Sequence, residues 1–510
     1  MPVTDPKTAP QGDAPAQGVL IRAENGDVVG FDETGLTLRL SDRVIADLRR
    51  RLGLPLTVEP QAAQLLGDID AWGLRQIGDW LHFTARLEPD RPPRDFRKPL
   101  DGGDIIADAI GPLQAILSIG GARRAGFNNG PPSFAYHILA PADDIFSVGL
   151  EGTDEADPVA GLQRLPHCSR DALTAQALLQ MRYEAMQALP LMLVRAETDN
   201  SASLEALIGG QAYVNFLAAL DSLNLAAASL GKPARVLAVA IDLSLEDQLG
   251  TPDSKLVALR RLMARIEADM AARGLHRPTF LLTAEAGTQH LSRHPMILAH
   301  AALAWAHAPH RVALPAPGYM FEQTRFARPT PAARIRMAEM DAYAISALAR
   351  RLDWRCPQIL LAEVMGRTLR VTCSAMGNLV LDDRLGAGPA GGFRIETSGK
   401  PVAITALRIA ADDPQALILT LDRALTGKAD LAYAYGAPTP SSDAFPANRG
   451  GLRDGWSAPS RAEGGALTVS VDGDPWDAVR AAAALSWAAA DTGQSLAVEA
   501  ALDGLARALG

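Results

Sequence analysis

The feature that most constrains the fold lies between residues 185 and 355, where short apolar runs alternate with helical stretches of ten or more residues. The runs are LPLMLVR, RVLAVAID, TFLLTAEA and RVALPAP, and they predict strands near residues 190, 237, 280 and 312. Strands that alternate with helices of this length form a parallel sheet with helices on both faces. The sequence therefore predicts an α/β fold, and such sheets bind ligands at the carboxyl ends of their strands.

The segments on either side of this region have different patterns. GVLIRAENGDVVGFDETGLTLRL predicts a hairpin with Asn25-Gly26 as its turn, and helices are expected after it, one of them over about residues 59–84. Alternating runs broken by Gly, Asp and Pro predict antiparallel β structure after residue 356. The predicted divisions are a disordered start at 1–17, a small hairpin and helical domain at 18–95, the α/β domain at 96–355, a β-rich module at 356–436, and a loop-rich and helical segment at 437–510.

Charge and composition restrict the partners of the chain. Its 510 residues carry a net charge of -9, with the basic residues dispersed, so attraction to nucleic acid is not expected. No apolar run approaches about 20 residues, and the first 17 residues lack an apolar signal core, so we expect cytoplasmic synthesis without a signal peptide and no membrane insertion. We also expect an oligomer.

Cofactor and metal patterns are weak. The three cysteines, Cys168, Cys356 and Cys373, have no CxxC spacing and are interpreted as buried or free thiols. GAGPAGG at 386–392 contains a proline and leads into a strand-like run, so a β-turn is favoured over a dinucleotide loop. His290 and His294 have the i, i+4 spacing of metal ligands, but structural histidines are the favoured interpretation. No cofactor and no metal are predicted.

Several strings, in their shared order, resemble the SGNH/GDSL hydrolase superfamily over about residues 185–460. The branch most similar is that of the sialate O-acetylesterase-type proteins often carried by phages and prophages. The strings are LPLMLVRAET, YVNFLAAL, VLAVAID with GTPDSKLVALRRL, TFLLTAEA, HPMILAHAALAWAHAPHRVALPAPGYMF, RPTPAARIRMAE, GNLVLDD, GFRIETSGKPVAITALRIA and GGLRDGWSAP. The resemblance implies a three-layer sheet of SGNH type with a helical N-terminal region and a C-terminal antiparallel β module.

The resemblance also implies a chemistry, and this sequence departs from it. The family uses a serine after the first strand, within Gly-Gln-Ser, and a histidine three residues after an aspartate. Here Thr198, within Ala196-Glu197-Thr198, is assigned to the serine position, and the Asp-x-x-His pair corresponds to Arg325 and Arg328. The Gly-Glu-x-Asp block is assigned to IDLSLED, which has no glycine. Because arginine keeps its proton, it cannot act as a general base.

We therefore favour an esterase fold that has lost its chemistry. The favoured hypothesis is a structural or receptor-binding protein of a phage, prophage or gene-transfer particle, of tail, spike or fibre type, which contacts other particle proteins and binds cell-surface polysaccharide. The alternative is an active carbohydrate O-acetylesterase with a rearranged triad. The ligand-binding candidates are Glu197, Asp199, Arg328 and Tyr136, while Arg328 in a salt bridge is an equally good interpretation. Ser201 and Ser203 are interpreted as an N-cap region rather than as nucleophiles.

Overall fold

The computed structural model describes most of the chain, in two compact units, Met1–Asp108 and Ala109–Gly510. The described residues are 18–23, 26–32, 35–38, 44, 51–52, 65–461 and 466–470. The range 65–461 excludes residues 122, 150–154, 201, 243–249, 284–294, 325–327, 383–385, 427 and 435–448. The start predicted to be disordered and the predicted C-terminal helices lie outside these residues. No described helix is long and apolar enough to cross a membrane.

The first unit contains two antiparallel sheets. One is β1 (Gly18–Ala23), β2 (Gly26–Asp32) and β3 (Gly35–Leu38). Both strands of the predicted hairpin are present, but Gly26 pairs with Ala23 as the first residue of β2 and is not part of the turn that was predicted at Asn25-Gly26. The other sheet is β4 (Ala71–Ile77), β5 (Trp80–Ala85), β6 (Arg94–Pro99) and β7 (Ile106–Ala107).

The helix predicted over residues 59–84 is wrong at its C-terminal end, because residues 71–85 form the β4–β5 hairpin. Gly78 has φ +57° and forms a two-residue turn with Asp79 between the paired residues Ile77 and Trp80. Glycine reaches this backbone region without steric cost, so Gly78-Asp79 favours a hairpin over a continuous helix. The domain boundary predicted near residue 95 falls inside β6.

The second unit is built on a seven-stranded sheet in the order β11-β10-β13-β8-β14-β15-β16. All neighbouring strands are parallel except β11, which is antiparallel to β10. The strands are β8 (Leu113–Gly120), β10 (Ile138–Pro141), β11 (Leu162–Arg164), β13 (Met192–Thr198), β14 (Ala234–Asp242), β15 (Thr279–Leu282) and β16 (Val312–Ala313). A separate ribbon pairs β9 (Phe127–Asn129) with β12 (His167–Ser169).

All four predicted strands are present, as β13 to β16. The parallel sheet nevertheless begins earlier than the sequence interpretation placed it, because β8 and β10 precede β13 in the chain and lie beside it. The central strand β8 has the sequence LQAILSIG and is buried along most of its length. This earlier start changes which residue follows the first strand.

Helices lie against both faces of this sheet. They are α1 (Arg170–Glu184), α2 (Leu204–Gly209), α3 (Gln211–Ser229), α4 (Pro252–Ala272), α5 (Pro295–Ala306) and α6 (Pro331–Ala349). Helices α1 and α6 pack on each other, and Ser118 of β8 bonds to Asp171 of α1. Glu197 of β13 interacts with Asn215 of α3. Ser118 pairs with Ala196, so Glu197 points to the opposite face, since successive strand residues alternate.

Local capping follows the sequence closely. The Thr330 hydroxyl accepts a hydrogen bond of 3.2 Å from the Ala333 N–H, and Pro331 occupies the first helical position of α6. Ser203 caps α2 by accepting from the Ala206 N–H at 3.1 Å. The stretch predicted as one long helix is interrupted at Gly210, whose extended backbone separates α2 from α3.

The predicted antiparallel module is confirmed. Its sheets are β17-β18-β22-β21, β20-β23 and β19-β24-β25, and they share one apolar core. The strands are β17 (Gln358–Met365), β18 (Thr368–Ser374), β19 (Leu379–Leu381), β20 (Phe393–Thr397), β21 (Ile404–Ile409), β22 (Ala416–Leu421), β23 (Ala429–Tyr433), β24 (Leu452–Pro459) and β25 (Ala466–Ser470). The module therefore extends into residues predicted to be loop-rich. GAGPAGG leads by turns into β20, not into a helix.

Candidate functional site

The carboxyl ends of the parallel strands meet around Gly120, the last residue of the central strand β8. Strand β13 ends at Thr198 and β14 ends at Asp242, on either side of it. The Asp199 N–H donates to the Gly120 carbonyl at 2.9 Å, and the Gly121 N–H donates to the Asp242 carbonyl at 3.0 Å. These bonds continue the parallel pairing of β8 with β13 and β14 to the carboxyl edge, where an α/β sheet ordinarily binds its ligand.

Beneath this edge lies a buried set of charged side chains, which we call the Arg–Asp network: Arg124, Arg170, Asp171, Asp242 and Asp341. Arg170 donates to both oxygens of Asp341 at 2.8 Å. Its third nitrogen donates to the Thr283 hydroxyl at 3.0 Å and lies 3.7 Å from an Asp242 oxygen. The network ties α1, α6 and two strand ends together on one face of the sheet.

Arg124 joins this network from the loop that follows β8. It donates to Asp171, and its other terminal nitrogen lies 4.0 Å from Asp341. The Ser118 hydroxyl donates to the second Asp171 oxygen at 2.6 Å. Burial alone would lower the pKa of Arg124, but the carboxylates of Asp171, Asp341 and Asp242 outweigh it and raise that pKa. A permanent cation therefore stands four residues after the end of β8, and it cannot accept a proton.

Glu197 belongs to a second buried cluster, on the α3 face of the sheet. Its carboxylate lies 3.6 Å from the Arg195 guanidinium, which also pairs with Asp143. Burial raises the pKa of Glu197 to about 7, the Arg195 charge opposes the rise, and the Asp143 charge adds to it. Glu197 is 1% exposed, so it is placed to hold a proton inside the fold and not to contact a ligand from solvent.

Thr198 is not placed as a nucleophile. Strand β13 is not the first strand of the sheet, because β8 and β10 precede it in the chain, so Thr198 does not follow the first strand as the sequence interpretation assumed. Its side chain has no exposed surface, and its hydroxyl has no hydrogen-bond partner among the described residues. A hydroxyl nucleophile needs both access to the substrate and a base within reach, so Thr198 meets neither requirement.

The other predicted ligand-binding residues do not converge on one pocket. Asp199 is half-buried and accepts a hydrogen bond from the Ala202 N–H at 3.1 Å. Tyr136 is half-buried beneath the Arg164 guanidinium, which lies 5.2 Å from the ring centre. Arg325 lies outside the described residues. Arg328 is exposed, and its carbonyl accepts from the Thr324 N–H at 2.7 Å.

Arg334 of α6 connects the loop before its own helix to the loop after β8. Its guanidinium donates to the Asn128 side chain at 2.8 Å and to the carbonyls of Phe127 and Pro329 at 2.9 Å each. In return, the Asn128 amide donates to the Pro331 carbonyl at 3.1 Å. We call these two loops, residues 121–130 and 318–330, the loop pair. Arg334 thus links the backbone of exposed Phe127 to that of Pro329, the neighbour of exposed Arg328, and we call the surface at Phe127 and Arg328 the rim.

Three of the described histidines, His167, His307 and His310, are held in structural contacts. His167 packs 4.4 Å from the Phe127 ring, and burial lowers its pKa. The His307 ring bonds to the His310 carbonyl at 3.0 Å, and the His310 ring lies 3.1 Å from Glu267. His290 and His294 lie outside the described residues. The three cysteines are free and buried, as predicted.

Sequence reasoning missed the residues that fill the carboxyl edge. No strand or helix is predicted for the segments that contain Arg124, Arg170 and Asp171, and Asp341 is predicted only as part of a helix. A usable signal was present, because the apolar run LQAILSIG is bounded by Gly111-Pro112 and Gly120-Gly121, and GARR follows it directly. Nothing local indicates that Arg124 and Asp341 approach each other, since they are distant in the chain.

Comparison with known proteins gives distant structural similarity. No family model matches the sequence, and no curated protein matches it. The structure is similar to that of a carbohydrate acetylesterase from Xanthomonas citri, with a TM-score of 0.44 and 15% identity, over 74% of this chain and 96% of that one. It is also similar to a protein from Arabidopsis thaliana, with a TM-score of 0.34 and 15% identity, over 46% of this chain and 98% of that one.

Proposed function

We propose that residues 109–461 form an esterase-like domain that does not hydrolyse esters and that binds polysaccharide instead. One observation carries the proposal. The loop after the first parallel strand reads Gly121-Ala122-Arg123-Arg124, and Arg124 is committed to the buried Arg–Asp network. This loop therefore carries a fixed buried cation, and none of its four residues has a hydroxyl or a thiol side chain.

The corrected strand order improves the correspondence with the SGNH/GDSL pattern. Counted from β8, Gly120-Gly121-Ala122 stands where the family has Gly-Gln-Ser, with alanine in place of the serine. Ala196-Glu197-Thr198-Asp199 then corresponds to Gly-Glu-x-Asp and keeps both acidic residues. On this correspondence the serine and the histidine are both replaced. A hydrolase of this type needs a nucleophile and a base together, so we infer that ester hydrolysis has been lost.

The rim of the loop pair supports a binding role. Phe127 is 46% exposed although it is a large aromatic side chain, and Arg334 fixes its backbone beside Pro329, the neighbour of Arg328. An aromatic face packs against the apolar face of a sugar ring, and an arginine fork binds hydroxyl or carboxylate groups. The Phe127 ring and the Arg328 guanidinium are therefore suited to recognition of a polysaccharide chain on the surface of the domain.

An esterase assay tests the loss of chemistry. Purified full-length protein should hydrolyse p-nitrophenyl acetate and acetylated sugars no faster than buffer. The alternative, an active O-acetylesterase with a rearranged triad, predicts turnover that disappears in Thr198→Ala or Ser201→Ala. Such turnover would overturn the proposal.

A binding assay tests the rim. Phe127→Ala should weaken retention on immobilised bacterial surface polysaccharides about tenfold, which corresponds to 1.4 kcal/mol. Leu352→Ala removes an exposed apolar side chain at the end of α6 and serves as the control, which should bind normally. Equal binding by wild type and Phe127→Ala would contradict the rim site.

The place of the chain in a phage-like particle, and its contacts with other particle proteins, remain predictions from the sequence. Sedimentation of the protein with particles from the same culture would test them.

A further inference from the structure

A second cleft opens at the opposite edge of the sheet. It has a volume of about 450 Å³ and lies at the amino ends of β14, β15 and β16, with Val236, Ile345 and Ala349 among its apolar lining residues. Pockets for small molecules typically occupy roughly 300–1,000 Å³. The cleft is therefore large enough for a small molecule, and the loop pair does not contribute to it.

Positive charge converges on this cleft from three neighbouring strands. Arg235 is the second residue of β14, Arg277 lies just before β15, and Arg311 lies just before β16. Neighbouring strands are about 4.8 Å apart, and the register places Arg311 level with Ala238, three residues along β14 from Arg235, so the backbones of the outer two arginines lie roughly 14 Å apart. Their long side chains reach the same cleft from there. His276 lines the same cleft, and all four basic side chains belong to exposed residues.

Negative charge within the described residues does not balance these groups. No Asp or Glu is among the residues that line the cleft. The nearest recorded carboxylate is that of Glu267, which lies 3.7 Å from Arg277 and is shared with His310 at 3.1 Å. Positive groups that line one cleft repel one another. A bound anion would remove this repulsion, and the overall charge of -9 makes such a local excess unusual for this chain.

We propose that this cleft binds a small multivalent anion that carries phosphate or carboxylate groups. Arginine presents paired N–H donors that match both kinds of group, and three arginines favour a ligand with several charges over a monovalent one. Thr279, the first residue of β15, also lines the cleft and adds a neutral polar side chain two residues after Arg277. The apolar lining residues of α6 contact the carbon atoms of the ligand.

Calorimetric titration of the full-length protein at low ionic strength tests this site. The probes are pyrophosphate, citrate and, as the monovalent comparison, acetate. We expect pyrophosphate or citrate to bind with a Kd below 1 mM and acetate to bind at least tenfold more weakly. Whichever of the first two binds more tightly identifies phosphate or carboxylate as the preferred group. Absence of binding by both at 1 mM would overturn the proposal.

Variants locate the binding. Arg235→Gln with Arg311→Gln should weaken binding at least tenfold, whereas Arg408→Gln, which removes an exposed arginine of the β module, should leave it unchanged. An equal loss in Arg408→Gln would mean attraction to net charge and would overturn the site. If the double variant fails to fold, each single variant is titrated with the same expectation. Phe127→Ala should bind these anions normally, so failure here and failure of the polysaccharide site are distinguishable.

Discussion

The Arg170 guanidinium donates two parallel hydrogen bonds of 2.8 Å to the Asp341 carboxylate, and both side chains are buried. Arg170 begins α1 and Asp341 lies within α6, so the pair joins the two helices that cover one face of the sheet. Desolvation offsets much of the attraction in a buried ion pair, and removal of one partner leaves an uncompensated charge. The two residues consequently depend on each other for the stability of the fold.

Asp341→Ala should therefore destabilise the protein strongly. We expect a loss of about 3–5 kcal/mol in the free energy of unfolding, because Arg170 and Arg124 would both lose a carboxylate inside the fold. Urea denaturation followed by circular dichroism measures the change. Arg370→Ala, which breaks the exposed pair with Asp412, is the control and should barely move the midpoint. Similar midpoints for the two variants would contradict the structural role of the network.

The pH dependence of stability should depend on Glu197. Its pKa rises from 4.5 to about 7 on burial, so between these pH values the folded state binds more protons than the unfolded state. The contribution of Glu197 to the free energy of unfolding is therefore fully present below pH 4.5 and is lost as the pH rises through 7. The loss approaches about 3 kcal/mol at most, since each pKa unit corresponds to 1.36 kcal/mol.

Glu197→Gln isolates this contribution, because glutamine cannot ionise. Urea midpoints of wild type and variant are compared at pH 5, 6, 7 and 8. The stability of wild type relative to Glu197→Gln should fall across the series and level off above pH 7. Parallel curves would show that Glu197 does not titrate in this range.

The strands of the sheet could be predicted where the sequence pattern is regular. The prediction failed where the position of a strand depends on pairing between residues far apart in the chain. Strands β13 to β16 were predicted because each is an apolar run between helices, and Thr330-Pro331 marks the start of α6 by capping chemistry alone. Strand β8 was missed because a fully buried central strand has no alternation and its flanking loops dominate the local composition. The helix prediction failed at the β4–β5 hairpin because Gly78-Asp79 forms a two-residue turn there.

The site was harder to predict than the fold. That Arg328 cannot act as a general base can be predicted from the sequence, since it follows from side-chain chemistry at one position. The burial of Thr198 could not be predicted from the sequence, because it depends on the position of β8 beside β13. The Arg–Asp network could not be predicted either, because Arg124, Asp171 and Asp341 come from segments far apart in the chain.

Arg334→Ala should loosen the loop pair. It removes three hydrogen bonds, to Asn128, Phe127 and Pro329, that join the loop after β8 to the loop before α6. We expect a stability loss of about 2–3 kcal/mol, because hydrogen bonds from a charged group contribute more than neutral ones. Amide hydrogen exchange should become faster at residues 123–130. Arg350→Ala, whose side chain bonds only within its own helix end, is the control. Unchanged exchange in Arg334→Ala would mean that other contacts hold the loops.

Arg328→Ala separates a binding role from a structural one. The residue is exposed at the rim of the loop pair, and the described structure gives it no ion pair, so its removal should shift the melting temperature little. If its planar fork binds hydroxyl or carboxylate groups of a polysaccharide, each charge-assisted hydrogen bond contributes roughly 1.5–3 kcal/mol before desolvation is subtracted. Retention on surface polysaccharide should then weaken about tenfold, as 1.4 kcal/mol corresponds to one decade of affinity. Both quantities are measured on the same preparation. A lower melting temperature with unchanged retention would place Arg328 among the structural residues and remove it from the rim site.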